Sequence, residues 1–224
     1  MAGWLLGNGL LLVVAYLLGS LPTGYWTGRI LKGIDIREHG SKSTGATNVL
    51  RTVGKGAALF VLLTDVLKGA LAIALTRWLY AVPTFTQVAP ASVDLETWLP
   101  WTVTLVGLSA ILGHSKSIWI QFTGGKSVAT SLGVLLAMSW QVGLGALSLF
   151  GLILALSRIV SLGSILAAIA ACVLMVVFNQ PLPYQLMAIA GGLYVIWRHQ
   201  TNIQRLIAGT EPRLGQTQPE SSHS

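Results

Sequence analysis

The stretch GSKSTGATNVLR, residues 40–51, lies between two long apolar segments and is made almost wholly of Gly, Ser, Thr, Asn and two cations. Such a run cannot sit in lipid, because each unpaired polar group there would cost on the order of 2–7 kcal/mol. It therefore lies in water at a membrane surface or lines a polar cavity. Ser41, Ser43, Thr44 and Thr47 supply hydroxyl donors, the small residues let backbone N–H groups converge, and Arg51 adds a guanidinium. Those are the parts of an oxyanion receptor. A solvated loop between helices would have the same composition, so the stretch alone leaves both readings open.

The surrounding chain decides the class. Hydrophobic residues make up 53% of it, charged residues 9%, and the mean hydropathy is +0.70, whereas soluble domains carry roughly 25% charged residues. The composition predicts an all-α integral membrane protein. Apolar segments fall at 4–27, 56–79, 99–114, 127–139, 141–157, 161–178 and 184–198, a bundle of about seven transmembrane helices. A span needs about 20 residues, so the third and fourth are short. No Lys or Arg precedes Arg29, so the first segment reads as a retained span, not a signal peptide. Residues 1–208 form one membrane domain; 209–224, rich in Gly, Pro, Gln and Ser, read as a disordered cytoplasmic tail.

Charge sets the orientation. With the N-terminus outside, the inner segments 28–55, 115–126, 158–160 and 199–224 hold nearly all of the Lys and Arg, including Arg29, Lys42, Arg51, Lys116, Lys126, Arg158 and Arg205. The outer connections hold none, and Asp94 and Glu96 lie there. This follows the positive-inside rule. It places the polar loops on the cytoplasmic side of the membrane. The net charge of +7 then reports topology and not nucleic-acid binding. Trp78, Tyr80, Trp98, Trp101, Trp140, Tyr184 and Trp197 mark interfaces. Pro22, within GSLPTGYW (19–26), predicts a packing kink. Asp65 and Lys68, three residues apart on one helical face, predict an intramembrane pair.

Three more polar clusters share the inner side. Phe122-Thr-Gly-Gly-Lys-Ser127 precedes the fourth segment, where N–H groups and an ammonium can meet a phosphate. It is not a P-loop, because position 120 is Ile where that motif needs Gly. A plain glycine turn would look the same. Ser161 and Ser164 begin the sixth segment, with Ser161 the natural N-cap. His199, Asn202 and Arg205 follow the seventh at a spacing of three. The four His are scattered and Cys172 is alone, so no metal site and no cofactor is expected. Inner-side acids are few, which suits transfer of phosphorylated groups whose own oxygens take the proton. A small-anion transporter would share the basic loops, but its site should be reachable from both faces, and here the clusters lie on one side only.

At these clusters the sequence resembles the bacterial acyl-phosphate:glycerol-3-phosphate acyltransferases, the PlsY family. The matching stretches are GSLPTGY (19–25), KGIDIREHGSKSTGATNVLR (32–51), TDVLKG (64–69), GH (113–114) with GGKSVATSLGVL (124–135), SLGSI (161–165) and RHQTNIQRLIAGTE (198–211). The resemblance implies a seven-span enzyme that moves a fatty acyl group from acyl phosphate to the 1-hydroxyl of glycerol 3-phosphate, giving lysophosphatidic acid and phosphate. It implies no metal, no acyl-CoA and no protein general base. The partners expected are acyl phosphate, glycerol 3-phosphate, the lipid bilayer and the soluble enzyme that makes acyl phosphate. By position, the catalytic residues are Ser41, Arg51, Lys126, His199 and Asn202. Thr47, Asn48, Gly124, Gly125 and Ser164 bind substrate or phosphate, with Glu211 a supporting acid. The His-x-x-x-x-Asp dyad of other acyltransferases is absent: Thr44, Trp119 and Gln204 stand where its acid would be. Lys42, Ser43 and Thr44 replace the family's usual Gly, Asn and Ile, Ser115-Lys116-Ser117 replaces an aromatic-Pro pair, and GGKS replaces GGKG.

Overall fold

The structure, a computed structural model, describes residues 1–216. Residues 217–224, with Glu220, His223 and the end of the expected tail, lie outside the described residues. Each apolar segment forms a helix: α1 (Ala2–Ser20) continuing into α2 (Thr23–Lys32), α3 (Ala46–Thr52), α4 (Lys55–Ala81), a single turn α5 (Pro83–Thr86), α6 (Leu95–Ser115), α7 (Val128–Met138), α8 (Trp140–Ser157), α9 (Val160–Val177), α10 (Leu182–Arg198) and α11 (Gln200–Ile207). Of these α2, α3, α5 and α11 carry loops and helix ends; α1, α4, α6, α8 and α9 are long and apolar enough to cross a membrane, and the shorter α7 and α10 bring the bundle to about the seven expected.

Three boundaries differ from expectation. The kink predicted at Pro22 is a full break between α1 and α2, since proline takes away a donor and only a tight turn, from the Thr23 N–H to the Leu21 carbonyl at 3.0 Å, spans it. Lys68 Nζ donates to the same Leu21 carbonyl, at 3.0 Å. The third segment is longer than read, 21 residues, because Pro100 sits in the first turns of α6 and leaves the helix intact. The fourth is shorter still. Eleven residues of α7 rise only about 16 Å, so the GGKS loop before it is carried inward. Irregular backbone at that depth is tolerated where protein covers it, and Gly125 and Ser127 are buried.

Small residues set the closest crossings. In lipid the helices gain nothing from hiding apolar surface from other apolar surface, so close van der Waals packing decides which faces meet. A Cβ on Gly69 would overlap the Thr130 carbonyl and one on Gly133 the Val66 carbonyl, so α4 and α7 meet backbone to backbone. Gly19 and Gly113 do the same for α1 and α6. Around these crossings Ile73, Val103, Val106, Val134, Val142 and Met175 fill the interior. Trp78, Trp101, Trp140 and Trp197 face outward, as anchors should. Tyr80 and Tyr184 instead turn inward, where Tyr80 bonds Asn8 and Thr102 and Tyr184 accepts from Arg77. Residues 209–216, read from composition as the start of the tail, run back along the helix ends. There the Leu214 N–H donates to the Arg158 carbonyl at 2.7 Å and Glu211 is buried.

Candidate active site

Parts of α3, α4, α7, α8, α9, α10 and α11 surround a cleft of about 450 Å³, within the ordinary range for small-molecule sites. One end is polar, lined by Ser41, Thr47, Arg51, Lys126, Ser164 and His199. The other is walled by Leu62, Leu63, Leu132, Leu136, Leu147 and Phe150. Asn48, Asn202 and Glu211 complete the polar end. Every expected site residue therefore lines the cleft except Gly124 and Gly125, which lie behind Lys126.

The first loop is organised by Asn48, which is 1% exposed. Its Nδ2 donates to the carbonyls of Ile36, His39 and Ser43 at 3.0, 3.1 and 2.8 Å, and its Oδ1 accepts the Ser41 N–H at 2.9 Å. With its amide fully used, Asn48 shapes the loop and has no donor left for substrate. The Arg51 side chain makes no hydrogen bond among the described residues, so its guanidinium is open to an anion. Arg37 ties this loop to the next: it forms a bidentate pair with Asp35 and reaches the Ile120 carbonyl and Thr123 Oγ1 at 3.2 and 3.1 Å. Those Arg37 hydrogen bonds hold the Asp35 carboxyl down at about 2.

The second loop carries Lys126, whose Nζ bonds Asn202 Oδ1. Asn202 Nδ2 donates to Glu211 Oε1 at 2.6 Å, the same oxygen accepts from Ser161 Oγ at 2.8 Å, and Glu211 Oε2 accepts from Arg205 Nε at 2.7 Å. Burial works to raise the Glu211 pKa, but hydrogen bonds from Asn202, Ser161 and Arg205 outweigh it and keep the carboxylate ionised. Burial lowers Lys126 to about 8 against the pull of Glu211, with Arg205, Arg198 and Arg51 adding to the drop. A phosphate is the charge that would restore it. Burial also lowers His199 to about 4. Its Nδ1 lies 2.7 Å from the Val195 carbonyl. A carbonyl can only accept, so Nδ1 carries the proton and Nε2 is left as an acceptor. Ser164 turns its hydroxyl to the Val160 carbonyl of its own helix, at 2.8 Å, while Ser161 is the serine bonded to Glu211.

Sequence reasoning missed several contributors. Arg198 donates to the carbonyls of Gly124 and Gly125 at 3.2 and 3.1 Å. Ser115 Oγ bonds Ser127 Oγ, which also donates to the Ile111 carbonyl at 2.9 Å. The two departures from the family pattern, at 115–117 and at 127, thus meet each other. The clue was present, since both are serines where the pattern has other residues, but only the fold pairs them. Asp65 and Lys68 do form the expected pair, at 2.9 Å, and His114 Nδ1 joins them at 3.5 Å.

Fold and site together define a polytopic membrane protein whose cleft sets Arg51 and Lys126 beside an aliphatic wall. The family model described as glycerol-3-phosphate acyltransferase matches residues 9–209. A glycerol-3-phosphate acyltransferase of Acaryochloris marina is 64% identical over 99% of each chain, and that of Trichormus variabilis is 63% identical over 95% of this chain and 94% of its own. Crystal structures of the integral membrane glycerol 3-phosphate acyltransferase PlsY, in glycerol 3-phosphate and lysophosphatidic acid forms, superpose with TM-scores of 0.78 and 0.77. They are 37% and 38% identical, each over 93% of this chain and 96% of the other. The chain belongs to the glycerol-3-phosphate acyltransferase family of membrane enzymes.

Proposed function

We propose that this chain transfers a fatty acyl group from acyl phosphate to the 1-hydroxyl of sn-glycerol 3-phosphate, giving lysophosphatidic acid and phosphate. The observation that carries the reading is the single cleft with cations at one end and aliphatic walls at the other. It is matched to reactants that each pair a phosphate with another group. Leu62 and Leu63 are 41% and 60% exposed on the lipid side of α4 and still line the cleft. A lipid product can leave through such an opening directly into the bilayer.

In this reading Arg51 and Lys126 hold the two phosphates, and Thr47 and Ser41 donate to them. Glycerol 3-phosphate is oriented by Asn202 and by the free Nε2 of His199. The 1-hydroxyl oxygen attacks the carbonyl carbon, the bond from that carbon to the phosphate oxygen breaks, and the hydroxyl proton passes to the departing phosphate. Lys126 stabilises the charge that develops on that phosphate, where a donor in a shielded site is worth most. Asn202, braced by Glu211, keeps the ammonium in place.

The decisive assay gives the purified full chain acyl phosphate and glycerol 3-phosphate in the presence of a chelator. Lysophosphatidate should form. Product only with acyl-CoA, or none after chelation, would overturn the donor and the metal-free chemistry respectively. We further propose that the polar loops face the cytoplasm, where the soluble enzyme that makes acyl phosphate can deliver the donor. Cysteine introduced at Ser92 should react with an impermeant reagent in intact cells, and cysteine at Lys116 only after permeabilisation. The reverse pattern sinks this orientation.

A further inference from the structure

Beneath the GGKS loop lies a buried group that the mechanism above does not use. His114, at the end of α6, is 7% exposed, with Asp65 at 1% and Lys68 at 3%. Asp65 Oδ1 lies 3.5 Å from His114 Nδ1 and 2.9 Å from Lys68 Nζ, and it accepts from Thr23 Oγ1 at 2.8 Å. Ionisable groups inside a membrane bundle are costly, and their presence there commonly marks a site. The carboxylate fixes the imidazole's rotation by drawing Nδ1 toward itself, so the Nε2 edge faces the loop. A Cβ on Gly125 would overlap that nitrogen, and one on Gly124 would overlap the His114 carbonyl oxygen. The same carbonyl accepts the Gly125 N–H at 3.2 Å. One residue therefore supports two consecutive glycines, through its ring and through its backbone. The next residue is Lys126.

We propose that His114 is a positioning residue for acyl transfer: braced by Asp65, its imidazole is the floor on which Gly124 and Gly125 rest, and it sets the height at which Lys126 meets Asn202. The glycines are required here for close approach, since no side chain fits between the loop backbone and the ring. Without the ring the loop settles into the vacated space and Lys126 drops with it. A misplacement of about 1 Å at a catalytic group costs on the order of 10² in rate. The competing account is that Asp65, Lys68 and His114 only fasten α4 and α6 to the break between α1 and α2. The two accounts differ in whether His114 acts through Lys126.

The proposal rests on the phosphate-binding role given to Lys126 above, and a double-mutant cycle tests it. Lysophosphatidate formation is measured for the detergent-purified full chain, His114→Ala, Lys126→Ala and the double variant, with thermal unfolding followed in parallel. His114→Ala should lose roughly 10²-fold in kcat/KM, and in the Lys126→Ala background the same change should cost less than about threefold. Full multiplication of the two losses overturns the proposal, as does a His114→Ala enzyme within about threefold of wild type. If His114→Ala does not fold, His114→Asn, which keeps a polar group beside Asp65 but is too short to reach the loop, takes its place in the same cycle with the same criteria. A second readout follows from the overlap at Gly125. Gly125→Ala should be impaired, and adding His114→Ala should recover about tenfold of that loss, whereas a further fall contradicts the floor. Should wild type make no lysophosphatidate, the functional reading fails; additivity in an active enzyme fails this inference alone.

Discussion

The two loops that bring cations to the cleft are built in opposite ways. Residues 40–51 are held by one of their own side chains, since Asn48 gathers Ile36, His39, Ser41 and Ser43 within a short stretch of chain. Residues 122–127 are held from elsewhere, by the backbone of His114, by Arg198 on α10 and by Ser115 on α6. The first loop is a local motif that carries its own shape. The second is a shape imposed by the bundle, so Gly-Gly-Lys-Ser would not by its sequence alone take the same shape elsewhere. Arg37 is the bolt between them.

The largest effect should come from removing the cation of either loop. Lys126→Ala and Arg51→Ala are each expected to lose about 10²–10³ in rate while the protein still inserts and unfolds at a similar temperature. Lys116→Ala, which removes the same charge from the same connection but lies outside the cleft, should stay close to wild type. Equal, near-wild-type behaviour of the two lysine variants would mean that the second loop is a plain helix-start turn.

Next in size are changes that unmake each loop without touching its cation. Asn48→Ala leaves buried carbonyls without donors, each worth about 1–3 kcal/mol, and should cost roughly 10–100-fold in activity with new protease cleavage confined to 36–52. Arg198→Ala should produce a comparable loss with the first loop still protected. Cleavage spreading to both loops in either variant would show that Arg37 couples them more tightly than the local scaffold of Asn48 suggests.

The pH profile separates the cations themselves. Lys126 is held near 8 by burial, so its ammonium form is complete well below that pH and is lost as pH rises through it. The profile of kcat/KM, which reports the free enzyme, should be level through neutrality and then fall about tenfold per unit above pH 8. Lys126→Arg should move that limb upward, since a guanidinium does not titrate there. A limb that stays in place must belong to another group. The smallest effect is expected at Ser127, which adopts φ +63°. Glycine there removes left-handed strain of about 1–2 kcal/mol and forfeits hydrogen bonds worth about 1 kcal/mol each. Ser127→Gly should therefore change the unfolding midpoint and the activity only slightly.

The sequence by itself determined the membrane class, the helix order, a disturbance of the first span at Pro22 and the chemistry of the polar loops. These depend on composition, on hydropathy over lengths set by the bilayer and on backbone rules that act within a few residues. It also made the Asp65–Lys68 pair legible, because a spacing of three on a helix is a local contact. Tertiary structure alone decided which distant groups meet. Glu211 lies in a stretch whose composition reads as tail, yet it docks because Ser161, Asn202 and Arg205 converge on its carboxylate. His114 stands in the chain as a lone histidine, and only the crossing of α4 and α6 sets Asp65 behind it and the second loop above it. Such contacts join residues far apart in sequence, and whether they form depends on helix packing set by Gly19, Gly69, Gly113 and Gly133 together, which no single stretch of the chain specifies.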